Sequence, residues 1–211
     1  MPLHIKIPPE LPVMVLPECN LFPYAMLPLY IFEERYRAML SHALANSRMF
    51  CIGMKRRDAE EGDDDVYMHS TAGIIRACVT RPDGTSNLIL QGITRVKFSH
   101  WVQKQPFRIA KVAEVETARG HLAEEQALAY RVIGLVEKRM LEDPNFSHTM
   151  GEQLKNVEDP EIVADIVGFN FICNPYAQQG LLAIPEVDKR LRFLIAHLNK
   201  NAGGGSGPAM V

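Results

Sequence analysis

The residue types that carry out catalysis or bind metals occur throughout the chain, but their spacing matches no common catalytic or metal-binding pattern. The seven histidines are scattered, and His42 and His197, which fall in predicted helices, have no histidine three or four positions away. Zinc sites usually draw their ligands from such short spacings. Each histidine is therefore predicted to be structural or solvated, and we assign no metal site and no catalytic residue.

The four cysteines give no pattern for a metal site or a disulfide framework. They lie far apart and form no Cys-x-x-Cys pair, the residues being Cys19, Cys51, Cys78 and Cys173. Such a distribution is typical of free thiols in a reducing compartment. The first ten residues contain no long apolar region of the kind found in secretory signals, and no apolar run reaches the length of a membrane span. We therefore expect a cytoplasmic protein.

Two acidic clusters have a chemical interpretation beside a structural one. Asp63, Asp64 and Asp65 end a charged run that is typical of a solvated loop. A divalent-cation site is the alternative there, although the run lacks the ligand spacing of a calcium loop. Glu33 and Glu34 are adjacent at the start of a predicted helix, so their side chains do not face each other as an acid–base pair requires.

The sequence contains none of the short motifs that mark nucleotide-dependent or hydrolytic enzymes. It has no GxxxxGK[ST] phosphate loop, no GxGxxG, no HExxH and no GxSxG nucleophile elbow. Ser86 follows a predicted tight turn, but no base for a serine nucleophile can be identified. We predict a protein without cofactor and without catalytic activity, and a hydrolase is the weakest alternative.

Strands are predicted in the first half of the chain and helices in the second. Short apolar runs around 13–16, 25–31, 48–54 and 107–116 indicate strands, and the prolines among the first two favour edge strands. Residues 74–80 and 87–98 alternate around the turn Pro82-Asp83-Gly84-Thr85 and predict a hairpin, with Ile75, Ala77 and Val79 sharing one side. Gly92 predicts a bulge or a sharp bend in the second strand.

Helical spacing of apolar residues begins at Tyr36 and returns after Ala118. The first stripe is Tyr36, Met39, Leu40, Ala43 and Leu44. Later stripes run from Ala129 to Met140 and from Val187 to Leu198, and Asp159-Pro160 and Asn174-Pro175 each predict a capped helix start. The result is an α+β chain with a β-rich first half and a helical second half.

The order of these features resembles the Lon protease N-terminal, substrate-binding domain family. The opening stretch LPVMVLPECNLFPYAMLPLYIFEERYRAML, the hairpin GIIRACVTRPDGTSNLILQGITRVKF and the helices in EDPEIVADIV and IPEVDKRLRFLIAHL are similar to that family in sequence and order. The resemblance implies a PUA-like β pseudo-barrel over residues 9–117 and a helical bundle over 118–200, within one domain of 9–200. Residues 201–211 are expected to be a flexible tail.

The resemblance implies binding of protein substrates or partners, in a stand-alone member without the ATPase and peptidase domains of full-length Lon. We expect a non-catalytic module that binds exposed apolar or unfolded segments of other proteins, with contacts at Leu21, Phe22, Tyr24 and Met26. Residues of these types are more often core than contact surface, so burial of the four is the alternative. Binding of RNA by a PUA-like module is the alternative function, which the net charge of -2 disfavours.

Overall fold

The computed structural model describes residues 5–57, 65–142, 154 and 156–200. The chain divides into two compact units, residues 1–115 and 116–211. None of the helices in the described residues is both long enough and apolar enough to cross a membrane. The predicted tail, and Asp63 and Asp64 of the acidic run, lie outside the described residues.

In its described residues, the first unit forms a six-stranded sheet that closes on itself and also contains one helix. The strands are β1 (Glu10–Leu16), β2 (Met26–Ile31), β3 (Met49–Met54), β4 (His69–Thr80), β5 (Ser86–Gln103) and β6 (Arg108–Glu114). Their order is β2-β5-β4-β3-β1-β6, and β6 also pairs with β5. The last pairing closes a ring of five strands, while β2 extends it along the first half of β5. The predicted α+β class with a pseudo-barrel is confirmed.

The core of this unit lies inside the ring. Alternate residues of the strands point inward, as the period of two requires. The buried set includes Leu11, Val13, Met49, Cys51, Ala72, Val96, Phe98 and Ala110. Helix α1 (Glu34–Ala45) buries four residues of the predicted stripe, Tyr36, Met39, Leu40 and Ala43, while the fifth, Leu44, is half-buried. The Tyr36 hydroxyl donates to the carbonyl oxygen of Val15 at 2.6 Å.

The predicted hairpin is present, with a turn whose geometry depends on Gly84. Gly84 has a φ of 80°, which is strained for residues with a Cβ. Its N–H donates to the Arg81 carbonyl, and the Asp83 carboxylate accepts from the backbone N–H and the hydroxyl of Thr85. These bonds, the one from the Thr85 backbone first, hold the pKa of Asp83 below its usual value. The turn prediction is therefore confirmed.

Two details of the strand prediction are wrong. Strand β1, predicted to be an edge strand, lies between β3 and β6 in the sheet. Pro12 lies in the first half of β1, which pairs with β6, and precedes the half that pairs with β3. The alternation Ile75, Ala77, Val79 does not share a buried side, because the ladder shifts register between Ile75 and Ala77. After this bulge Ala77 and Val79 are exposed while Ile75 is buried.

The described residues of the second unit include four helices, and the two caps predicted at Asp159 and Asn174 are present. The helices are α2 (Leu122–Glu142), α3 (Pro160–Phe171), α4 (Pro175–Leu182) and α5 (Val187–Lys200). The Asp159 side chain accepts from the N–H of Glu161, and the Asn174 side chain accepts from the first turn of α4. All five predicted core residues of α5 are buried, as are those of α2. A buried ion pair joins Arg190 of α5 to Asp165 of α3 at 3.0 Å.

Candidate functional site

The structure separates the four predicted contact residues into two inside and two outside. Leu21 and Phe22 are buried completely or nearly so, while Tyr24 is 45% exposed and Met26 is 51% exposed. The stretch between β1 and β2 is therefore partly core and partly surface. A contact role for the four stays a prediction, and Tyr24 and Met26 are the two that a partner can reach.

Leu21 and Phe22 are held inside because the stretch before β2 packs directly on β5. The N–H of Tyr24 donates to the carbonyl of Gly92 at 3.0 Å, and the N–H of Gly92 donates to the carbonyl of Ala25 at 2.9 Å. Leu21 lies against Gly73, where a Cβ would collide with it. The predicted bend at Gly92 is thus also a point of close backbone approach.

An exposed apolar surface lies on the outer side of β2 and its two neighbours. Along β2 the alternate residues Met26, Pro28 and Tyr30 are exposed. Directly opposite residues in antiparallel strands share a face, and the register places Ile89 of β5 opposite Pro28, with Ala77 of β4 opposite Ile89. We call this the β2 face and define it as Met26, Pro28, Tyr30, Phe32, Ala77, Val79 and Ile89.

The aromatic side chains of the β2 face are well exposed despite contacting each other. Tyr30 is 49% exposed and Phe32, just after β2, is 59% exposed. Their rings stack with centroids 5.7 Å apart. The guanidinium of Arg81 lies 5.5 Å from the centre of the Tyr30 ring, a cation–π contact. The same register places two polar residues on this side, Asn87 opposite Tyr30 and Val79, and Gln91 opposite Met26. Exposed aromatic and apolar side chains grouped in this way are typical of a protein-binding site.

A cationic cleft of about 600 Å³ is a second feature of the first unit. Its lining includes four basic residues, Arg35, Lys55, Lys104 and Arg108, and the carboxylate of Asp65. Arg108 donates to both oxygens of Asp65, at 2.7 and 2.8 Å, and lies over the Trp101 ring. Asp65, which the sequence offered as a cation ligand, therefore forms a bidentate ion pair, and the described residues contain no cluster suited to a metal ion.

Several residues with catalytic side chains have structural surroundings in the described part of the chain. Burial raises the pKa of Cys19 to about 11 and also raises the pKa of Cys51, so neither thiol is activated. Ser86 is buried and its hydroxyl shares a hydrogen bond with the hydroxyl of Thr80, 2.9 Å away. Glu33 bonds to Arg35 and lies at the start of α1.

Sequence reasoning missed four exposed residues, Pro28, Tyr30, Phe32 and Val79, and the half-buried Ile89 beside them. The signal that was available is the run MLPLYIF, in which both sets of alternate residues are apolar. Such a run is usually a strand buried on both sides. Only the folded structure shows which of the two sets of alternate residues is exposed.

Comparison with known proteins places these features in a family. The model of the ATP-dependent protease La (LON) substrate-binding domain matches residues 10–200. The chain is 26% identical over 195 residues to a Lon protease of Dictyoglomus thermophilum, covering 92% of this chain and 25% of that protein. It is 27% identical over 197 residues to Lon protease 2 of Herpetosiphon aurantiacus, covering 90% of this chain and 24% of that protein. The chain thus spans about a quarter of the length of these curated relatives.

Solved structures give the same result at the level of fold. The N-terminal domain of a Mycobacterium avium complex Lon protease superimposes with a TM-score of 0.74 at 19% identity, covering 90% of this chain and 98% of that one. A Lon N-terminal domain protein from Xanthomonas campestris gives a TM-score of 0.64 at 20% identity, covering 89% and 97% of the two chains. With its six-stranded sheet followed by helices and a family match over residues 10–200, the chain belongs to the LON substrate-binding domain family.

Proposed function

We propose that this chain is a non-catalytic module that binds exposed apolar segments of other proteins, and that the β2 face is its contact surface. The observation that carries the proposal is the exposure of Met26, Tyr30 and Phe32 together on one side of a sheet. Membership of a substrate-binding domain family supports a protein as the partner.

The chemistry of the β2 face suits partners of varied sequence. Methionine adapts its shape to different apolar groups, and aromatic rings supply large contact areas at a low cost in side-chain entropy. The proposal includes no ATP hydrolysis and no peptide cleavage by this chain, because the family match covers the substrate-binding domain. Binding of RNA stays a prediction of the sequence.

The test compares two tyrosines that are both exposed, one on the β2 face and one on α2. Binding of a permanently unfolded, fluorescently labelled model protein is measured by anisotropy for the unchanged chain, Tyr30→Ser and Tyr130→Ser. Tyr30 is 49% exposed and Tyr130 is 74% exposed, so neither substitution should disrupt the fold. We expect Tyr30→Ser to weaken binding about tenfold, the scale of an interface hot spot, and Tyr130→Ser to leave it unchanged.

If the unchanged chain and Tyr30→Ser have the same melting temperature and bind the unfolded protein equally well, the β2 face is not the contact surface. A labelled single-stranded RNA measured in the same way provides the comparison with the alternative function. Salt-dependent RNA binding without binding of the unfolded protein would replace the proposal.

A further inference from the structure

The β2 strand leaves one edge of its backbone without a neighbouring strand among the described residues. In the sheet order β2 stands at one end, next to β5. The pairing runs from Met26 opposite Gln91 to Ile31 opposite Ser86. The edge of β2 remote from β5 therefore carries no strand pairing among the described residues.

The hydrogen bond from Gly92 to Ala25 determines which residues of β2 present their backbone at that edge. In an antiparallel pair, alternate residues direct both their N–H and C=O groups at the partner. The Gly92 N–H donates to the Ala25 carbonyl, while the Ala25 N–H donates to the Phe22 carbonyl. Counting on from the Ala25 carbonyl, the alternation directs both backbone groups of residues 27, 29 and 31 at β5. Met26, Pro28 and Tyr30 then direct their backbone groups away from β5.

Proline at position 28 is consistent with this alternation of inward-facing and outward-facing backbone groups. A proline facing β5 would remove a donor from the ladder, whereas one facing away removes a donor only from the outer edge. The outer edge therefore offers the N–H and C=O groups of Met26 and Tyr30 and the C=O group of Pro28. A proline at an edge also weakens uncontrolled strand pairing.

The same residues carry the apolar side chains of the β2 face. In an antiparallel added strand, the residues bonded to Met26, Pro28 and Tyr30 place their side chains on the side where Met26 and Tyr30 are exposed. A segment with apolar residues at alternate positions would thus extend the β2 face while its backbone pairs with β2. Arg76 and Arg81 are exposed beside this face, Arg76 bonded to Gln91 and Arg81 over Tyr30. Arg81 lies near enough to Asp83 to help lower the pKa of that carboxyl, so Arg76 is the cation whose charge complements a carboxylate on the segment.

We propose that the outer edge of β2 binds its partner as an added antiparallel strand, and that the partner is an extended segment with alternating apolar residues and an acidic residue beside them. The inference rests on the proposed function, because it states how the apolar segment is held. Main-chain hydrogen bonds supply affinity in this binding mode and the alternating side chains supply selectivity. The gap at Pro28 makes the binding weaker and more reversible than a complete ladder.

The test uses a short fluorescent peptide in which valine and serine alternate between two terminal aspartates, with two N-methylated versions. One version carries methyl groups on the backbone nitrogens of the valines and the other on those of the serines. Because the valines pair with β2 in the proposed geometry, their methylation should reduce the affinity at least tenfold. Methylation of the serines, whose N–H groups point to solvent, should change the affinity less than threefold.

The outcomes distinguish this inference from the proposed function. If the unmodified peptide binds and the two methylated versions bind equally, the segment is held by side chains alone and strand addition is wrong. Loss of affinity on serine methylation instead contradicts the proposed register. If the chain binds neither the peptide nor an unfolded protein, the proposed function itself fails.

A second measurement restores the missing donor. Pro28→Ala adds an N–H at the outer edge while removing apolar surface, so a gain in affinity must come from the backbone. We expect the unmodified peptide to bind about two- to tenfold more tightly, the effect of one added hydrogen bond. Unchanged or weaker binding in a variant of normal melting temperature would contradict the edge as the binding site. Sedimentation velocity of the variant tests whether it self-associates through the same edge.

Discussion

The carbonyl group of Phe22 occupies the space that a side chain on Gly92 would need. An ideal Cβ built on Gly92 overlaps the Phe22 carbonyl oxygen, and this oxygen belongs to a backbone that two hydrogen bonds fasten to Gly92. The position of the stretch before β2, and hence of the β2 face, depends on the absence of one methyl group.

Gly92→Ala is therefore expected to lower the free energy of unfolding by roughly 2 kcal/mol or more, because a backbone atom cannot move aside as a flexible side chain does. Gly134→Ala is the matched control. Gly134 is in α2 with nothing within 4 Å of an added Cβ, so alanine should stabilise by about 0.5–1 kcal/mol. Chemical denaturation of both variants makes the comparison, and similar effects at the two glycines would contradict the close approach.

Phe22→Ala and Tyr24→Ala should behave differently although the residues are two positions apart. Phe22 is fully buried, and its truncation should cost about 3–5 kcal/mol of stability. Tyr24 is exposed, although its φ of 65° is unusual for a tyrosine, so its truncation should change stability by less than about 1 kcal/mol. Thermal melts test this, and a collapse of both variants would show that Tyr24 is also part of the core.

Asp165→Asn should destabilise the second unit by about 3–5 kcal/mol, because it leaves the guanidinium of Arg190 buried without full charge compensation. Both side chains are completely buried, and Arg190 also contacts Glu161 at 3.2 Å. Asp188→Asn is the control, since Asp188 is half-buried and its partner Arg192 is exposed; it should cost less than about 1 kcal/mol. Urea denaturation measures the free energy of unfolding of both variants. If it falls equally in the two, the buried ion pair is no more important for stability than the exposed one.

Acidification below about pH 6.5 should destabilise the fold through His69 and His197. Burial, and then Lys97, lower the pKa of His69 from its usual 6.5. Burial, and then Arg139 and Lys200, lower the pKa of His197. In the unfolded chain both histidines bind protons at a higher pH than in the folded one, so stability is lost as the pH falls through 6.5 and below.

The double variant His69→Gln and His197→Gln should flatten the pH dependence of the unfolding free energy between pH 7 and 5. His100→Gln is the control because His100 is exposed. A double variant with the same slope as the unchanged chain would show that other groups govern the pH dependence.

The sequence predicts most of the elements but not which side of β2 faces water. Apolar spacing places α1, α2 and α5 because each helix has a polar side that sets its direction, and the buried stripes agree with the spacing. In MLPLYIF both sets of alternate residues are apolar, so the pattern does not indicate which set faces the core. The bulge before Ala77 reverses inside and outside within β4, and a single extra residue of this kind has no pattern of its own.

The pairing of β1 with β6 bears on the order in which the first unit folds. Glu10 pairs with Lys111, whereas the hairpin of β4 and β5 pairs residues as close as Thr80 and Ser86. The hairpin closes a short loop at a small entropic cost, while joining β1 to β6 must bring together nearly the whole length of the unit. We therefore infer that the hairpin is an early nucleus and that ring closure comes late, leaving the edges of β1 and β5 open to aggregation on a nascent or truncated chain that lacks β6.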